Sequence, residues 1–364
     1  MSVRALALDR SLVVCVGPGG VGKTTFGAAL AIHAARAGRR TAVITIDPAR
    51  RLADALGLDG LDDALRPVGD LPLDAAMLET KASYDRLIER VTDDPEARDR
   101  ILNNRVYQSF SRTLARSHAY VAMERLHDVL TTGDYDLVVL DTPPTRSALD
   151  ILDAPGRLVR FLDERVLEAF LGAGAEGSAR AWIRAKGAEV AMRMFGAMAG
   201  DALMEELAAF FEVFFHLRKG FAQRAARVLR TLESPTTAFV LVTAPDVTHL
   251  SDAAYLRDGL ISRGTPIEGV VFNRAFHAGA DGSPLDRDAS WPDDAIEGPE
   301  GVDVVRDAAR AMRSRLVAEN RAFSDAIEAF MGKLPDAAES LRLPALRSGP
   351  ASLDALASLL DHGR

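Results

Sequence analysis

A glycine-rich turn set between a short apolar strand and an alanine-rich helix constrains this chain more than any other feature. It reads Gly17-Pro18-Gly19-Gly20-Val21-Gly22-Lys23-Thr24-Thr25. Ser11 to Val16 before it is β-rich, with Leu12, Val13, Val14, Cys15 and Val16 in succession, and Thr24 to Arg36 after it has helical period. Glycines let the backbone curl so that successive N–H groups point inward, and the following helix offers the positive end of its dipole to the same point. A polyphosphate is the ligand such a turn holds. In that role Lys23 neutralises the β- and γ-phosphates, and Thr24 offers its hydroxyl to Mg2+.

The 364 residues, 48% of them apolar, suffice for a full core, as one large domain with an insertion or as two smaller ones. With 44 basic against 52 acidic side chains, a net charge of −8 and no dense Lys/Arg cluster, no nucleic-acid or anionic-lipid partner is expected. The single cysteine, Cys15, falls inside the first strand and reads as a buried, inert thiol. Disulfides and cysteine metal sites within one chain are thereby excluded. The seven histidines show no ligand spacing, and no transition metal is expected. The N-terminal apolar run is too short for a signal or a membrane span, so the expected location is cytoplasmic.

Nearly continuous apolar runs recur at Thr41 to Ile46, Tyr135 to Leu140, Ala238 to Thr243 and Ile267 to Phe272. Parallel strands covered by helices on both faces read this way. The expected fold is therefore α/β, a doubly wound, mainly parallel sheet with an inserted helical subdomain, and with the glycine turn at the carboxyl edge where ligands of such folds bind. Residues 1–81, 131–148, 233–275 and 335–364 are assigned to the core, and 82–130 with 149–232 to the helical subdomain. Residues 276–301 read as a mobile acidic loop and 302–334 as one or two amphipathic helices, the return segment. In the second helical stretch Leu207, Phe210, Phe211, Phe214, Leu217 and Phe221 share a face near Met192, Met194, Met198 and Met204. Two readings stand: a core-facing stripe, or a Met- and Phe-lined groove for an apolar protein segment.

Two aspartates close strands. Asp47 lies in Thr45-Ile46-Asp47-Pro48-Ala49-Arg50-Arg51, and Asp141 in Leu140-Asp141-Thr142-Pro143-Pro144-Thr145. A carboxylate at such an end can hold Mg2+, and a second can orient or activate the water that attacks a γ-phosphate. Asp141 is assigned to the metal and Asp47 to the water; as catalytic residues they join Lys23. The plain alternative is that each caps a turn.

These segments, in this order, resemble the deviant Walker A ATPases, and most closely the arsenite-pump or anion-transporting ATPase family with its tail-anchored-protein targeting relatives. The resemblance extends to Val242 to Asp246 and Val271 to Arg274, and to a bacterial branch carrying Ala-Leu-Asp-Ile-Leu-Asp-Ala-Pro after the Asp141 loop. It implies a P-loop fold, ATP and Mg2+ as ligands, Gly19, Gly20, Val21, Gly22, Lys23, Thr24 and Thr25 around the phosphates, and switch regions at Asp47 and Asp141. It further implies Asn273 at the adenine edge, with Pro344 to Leu346 lining the base. No Asn-Lys-X-Asp guanine-reading motif occurs, so ATP is preferred over GTP. The chain also departs from the pattern. Pro18 replaces the family's second-position lysine, and Arg50 or Arg51 is either its substitute or a solvated surface arginine. One buried thiol cannot bind arsenite, which needs several.

What the resemblance implies is a cytoplasmic ATPase, a homodimer or a heterodimer with a paralogue, whose turnover moves the helical subdomain around an apolar client segment. The alternatives are a subunit energising a membrane anion transporter, a P-loop kinase acting on a small molecule, and a positioning ATPase.

Overall fold

The computed structural model describes residues 2–47, 51–78, 118–131, 134–144, 146–161, 220–279, 283–285, 302–334, 338–346, 352–361 and 363. The chain divides into two compact units: Met1–Ala76 with Tyr135–Leu149 and Pro235–Arg364, and Met77–Asp134 with Asp150–Ser234.

The first unit is built on one eight-stranded sheet. In chain order its strands are β1 (Leu12–Val16), β2 (Thr41–Thr45), β3 (Arg66–Pro67), β4 (Leu73–Met77), β5 (Leu137–Asp141), β6 (Thr237–Thr243), β7 (Ile267–Phe276) and β8 (Glu339–Pro344). They lie in the order β3-β4-β2-β5-β1-β6-β7-β8. Pairing is parallel from β2 through β5, β1, β6 and β7 to β8, and only β3 with β4 is antiparallel among the pairs described. Every residue of β1, β2, β5 and β6 is buried, as two covered faces require. The sheet is thus the α/β arrangement expected, and β1 sits at its centre with β5 and β6 on either side.

The helix after the glycine turn, α2 (Lys23–Arg36), buries Phe26, Leu30 and Ile32 along with six small residues. Its small side chains permit close approach: a Cβ on Gly27 would lie 3.6 Å from Val139 of β5. On its other sides α2 meets α1 (Val3–Asp9), α3 (Arg51–Leu56) and α8 (Leu353–Asp361). Gly38, at φ 88°, ends it by letting Arg39 N–H return to the Ala34 carbonyl at 3.1 Å.

Three features were not anticipated from the sequence, and the stretch read as one or two amphipathic helices is a single one. Ser2 caps α1, a short helix whose Val3 and Leu6 pack over β7, where Gly269 leaves the room. The β3–β4 pair lacked a β-branched run to announce it. β7 continues to Phe276, past its expected end at Phe272, through an irregular register. Val302–Met331 is a single 30-residue helix, α7. The remaining described helix of this unit is α6 (Val247–Ile261), capped by Asp246.

In the second unit, α4 (His118–Thr131) buries Ala122, Met123, Leu126 and Val129 at helical spacing. The helical segment 220–232 buries Ala225 and Val228, and Arg224 pairs with buried Glu124 of α4 at 3.2 Å. Helix α5 (Arg146–Phe161) spans the unit boundary and contains Pro155; Asp150 and Asp153 of the Ala-Leu-Asp-Ile-Leu-Asp-Ala-Pro run bond Arg157 at 3.2 and 2.9 Å. Of the expected Met/Phe stripe only Phe221, partly buried, is among the described residues. The acidic stretch 286–301, Arg50 and Thr145 also lie outside them. No described helix is long and apolar enough to cross a membrane.

The Arg39 guanidinium donates to the carbonyls of Ala7 at 2.6 Å and Arg10 at 2.8 Å, and to that of Asp136. It ties the end of α1 to the entry of β5. Arg39→Met should lower the unfolding free energy by about 2 kcal/mol, read from the urea midpoint, because three acceptors lose a charged donor. An unchanged midpoint would show that water replaces it without cost.

Candidate functional site

The glycine turn leaves the carboxyl end of β1 between two parallel neighbours, and its spelling follows from how near they stand. A Cβ on Gly17 would lie 2.0 Å from the Val242 carbonyl of β6, and one on Gly22 would lie 2.4 Å from Asn273 Nδ2 of β7. Gly20 and Gly22 adopt φ of 74° and 92°, which side chains with a Cβ resist. A Cβ on Gly19 would lie 3.7 Å from Pro144 of the loop after β5. Three strand ends thus surround one turn. Val21 is buried and Thr25 half-buried.

Lys23, first residue of α2, is buried and donates from Nζ to the Pro18 carbonyl at 2.6 Å. The ammonium therefore curls back over the turn it follows. Burial holds its pKa below the usual lysine range, against the attraction of Asp141 and Asp47.

Asp141, at the end of β5, is 1% exposed. Its Oδ2 accepts from Thr24 Oγ1 at 2.7 Å and from Thr45 Oγ1 at 2.9 Å. Its Oδ1 is buried without a hydrogen-bond partner. Burial raises this carboxyl above the usual range, with the two hydroxyls and Lys23 opposing. Thr45 Oγ1 also accepts the Asp47 backbone N–H at 3.3 Å, so one hydroxyl joins both aspartate loops. The Asp47 carboxylate is partly buried and meets Arg51 Nη1 at 3.4 Å.

The arrangement fits a hard divalent cation. A threonine hydroxyl and a carboxylate with one unused buried oxygen converge, and both are oxygen donors. No cluster of three His, Cys, Asp or Glu side chains capable of holding a metal alone occurs among the described residues. A cation held there would draw its remaining donors from a ligand and water.

The other expected residues lie farther along the same sheet edge. Asn273 Nδ2 donates to the Val21 carbonyl at 2.8 Å and its Oδ1 accepts Arg274 N–H at 3.0 Å, so its amide is engaged at both ends. Pro344 ends β8, buried beside Phe276, and Leu346 follows with 51% of its surface exposed. Three residues not singled out from the sequence belong to the site. Thr45 is the link just described, Thr142 Oγ1 donates to the Cys15 carbonyl at 2.8 Å, and Arg274 Nη2 donates to the Gly20 carbonyl at 3.1 Å. A hydroxyl closing an apolar strand was the available signal for Thr45.

With its folded pKa above its unfolded one, Asp141 destabilises the native state most where it is ionised, and that cost fades as pH falls. Asp141→Asn keeps an acceptor for both hydroxyls and does not titrate. It should be more stable than the parent by about 1 kcal/mol near neutrality, with the difference shrinking in urea unfolding as pH falls toward the ordinary carboxylate range. A difference independent of pH would contradict the raised pKa.

Residues 10–285 match the family model described as Anion-transporting ATPase. The chain is similar to a protein named ATPase ARSA1 in Chlamydomonas reinhardtii, 24% identical over 306 residues, 75% of this chain and 35% of that one. It is also similar to an Arsenical pump-driving ATPase of Acidiphilium multivorum, 29% identical over 154 residues, or 40% and 26% of the two chains. A third relative is ATPase GET3 of Malassezia globosa, 28% identical over 150 residues, or 41% and 44%. The match therefore spans less than half the length of each of these relatives. Because the family model covers the sheet strands β1 to β7 and the whole phosphate turn, the chain belongs to the anion-transporting ATPase family.

Proposed function

We propose that the chain binds Mg-ATP in the Gly17 to Thr25 turn and hydrolyses it, working as a dimeric nucleotide switch. One observation carries this reading: the hydrogen-bonded run Thr24–Asp141–Thr45–Asp47, which connects the phosphate turn to both strand-end carboxylates. The inward N–H groups of the turn and Lys23 bind the β- and γ-phosphates. Thr24 and Asp141 would hold Mg2+, which supplies charge neutralisation at the phosphates when bound. Asp47 orients the attacking water and accepts its proton, and Arg51 steadies the Asp47 carboxylate. Because Thr45 bonds both loops, a rearrangement at Asp141 reaches Asp47 through one hydroxyl.

In this reading the motion of the two loops carries to the helical region 82–130 and 149–232, whose apolar face takes a protein segment, with a homodimer or a heterodimer as the working unit. A second reading is favoured by the name of the Acidiphilium relative, a pump-driving ATPase: a subunit energising a membrane transporter. Stable co-purification with an integral membrane protein distinguishes it. A small-molecule kinase would instead form ADP only when an acceptor is supplied.

Asp47→Asn should lower kcat for phosphate release by about 100-fold or more while leaving ATP affinity within about threefold. Lys23→Ala should weaken ATP binding by about 100-fold in calorimetry. Full turnover by the Asp47 variant removes Asp47 from the mechanism. Adenine nucleotide affinity untouched by the Lys23 substitution ends the nucleotide reading.

A further inference from the structure

The end of β7 grips the phosphate turn from outside, by its carbonyls. Asn273 Nδ2 holds the Val21 oxygen and Arg274 Nη2 the Gly20 oxygen, two consecutive peptides. In a trans peptide the C=O of one residue and the N–H of the next point in opposite directions. Fixing the oxygens of Gly20 and Val21 outward therefore aims the N–H groups of Val21 and Gly22 inward, toward the phosphate side.

Two further observations mark the pair. Arg274 is the one non-glycine residue with positive φ among those described, at 56°, an unfavourable conformation for a side chain bearing a Cβ. Asn273 Oδ1 stabilises it by accepting the Arg274 N–H at 3.0 Å. The guanidinium itself is exposed and forms no ion pair among the described residues, in a chain whose 52 acidic side chains outnumber 44 basic ones. A cation is thus kept unneutralised beside an anion-binding turn. Gly22 completes the fit, since any Cβ there would collide with the Asn273 amide.

We infer that Asn273 and Arg274 are positioning residues that set the affinity of the turn for the polyphosphate part of its ligand, independently of the base. This rests on the nucleotide reading of the same turn. Strain at Arg274 is maintained because it lets two neighbouring side chains seize two neighbouring carbonyls, and the arginine charge adds to the field that Lys23 provides.

Inorganic tripolyphosphate, which has the phosphates and no base, tests the inference beside ATP. Calorimetry on wild type, Asn273→Ala, Arg274→Gly and Lys23→Ala supplies the comparison. Both clamp variants should lose affinity for the two ligands by the same factor, about tenfold. Arg274→Gly should melt no lower than wild type, because glycine takes a positive φ without strain. Arg274→Lys, which retains the charge, should recover part of the loss. A fall in ATP affinity with unchanged tripolyphosphate affinity would assign Asn273 and Arg274 to the base and overturn the inference. A wild type that binds both ligands, loses both on Lys23→Ala and ignores the clamp substitutions overturns the clamp alone. A wild type that binds neither overturns the nucleotide reading and the clamp with it.

Discussion

A buried carboxylate at the carboxyl end of the central strands is the constraint around which this protein is arranged. Asp141 is removed from water by β1, β2 and the start of α2, and a carboxylate in such a place is costly unless it is hydrogen-bonded and faces opposite charge. Thr24, Thr45 and the nearby Lys23 meet that requirement for one oxygen and leave the other unused. A structure selected for stability alone would place a neutral side chain there. Its retention is intelligible if the charge is completed by a cation and phosphate, so a group that costs the sheet stability stands where a ligand can use it.

The phosphate turn is shaped as much by its neighbours as by its own glycines. Val242 crowds Gly17, Pro144 sits by Gly19, and Asn273 fills the space a side chain on Gly22 would need. Those contacts come from β6, from the loop after β5 and from β7. Parallel pairing brings these segments to the same edge of the sheet as the end of β1. The turn is consequently stiff before any ligand arrives, and preorganised N–H groups bind an anion without first having to be ordered.

Much of this was legible in the residue order. Runs such as Leu12 to Val16 and Leu137 to Leu140 are apolar at every position, which only a doubly covered strand tolerates, and the expected strands lie within a residue or two of those found, except at the extended end of β7. Elements whose signal is weak in isolation were not legible. Leu73 to Met77 contains an aspartate and two alanines and is a strand because β2 offers it an edge. α1 is seven residues long and depends on Gly269 for a seat on β7. The irregularity that lets β7 run on past Asn273 depends on a backbone conformation that no arginine announces.

By itself the sequence determined the chemistry available: a glycine turn, a lysine and a threonine at a helix start, and two carboxylates after apolar strands. Each is a local pattern with a local physical cause, so order along the chain sufficed to find them. Tertiary structure alone decided which of these groups meet, because Thr24, Thr45 and Asp141 come together only when β2, β5 and β1 pair in register. It also turned Asn273 and Arg274 onto the outer carbonyls of the turn. Those contacts span more than 250 residues of chain, and nothing in short-range pattern encodes a distance of that kind.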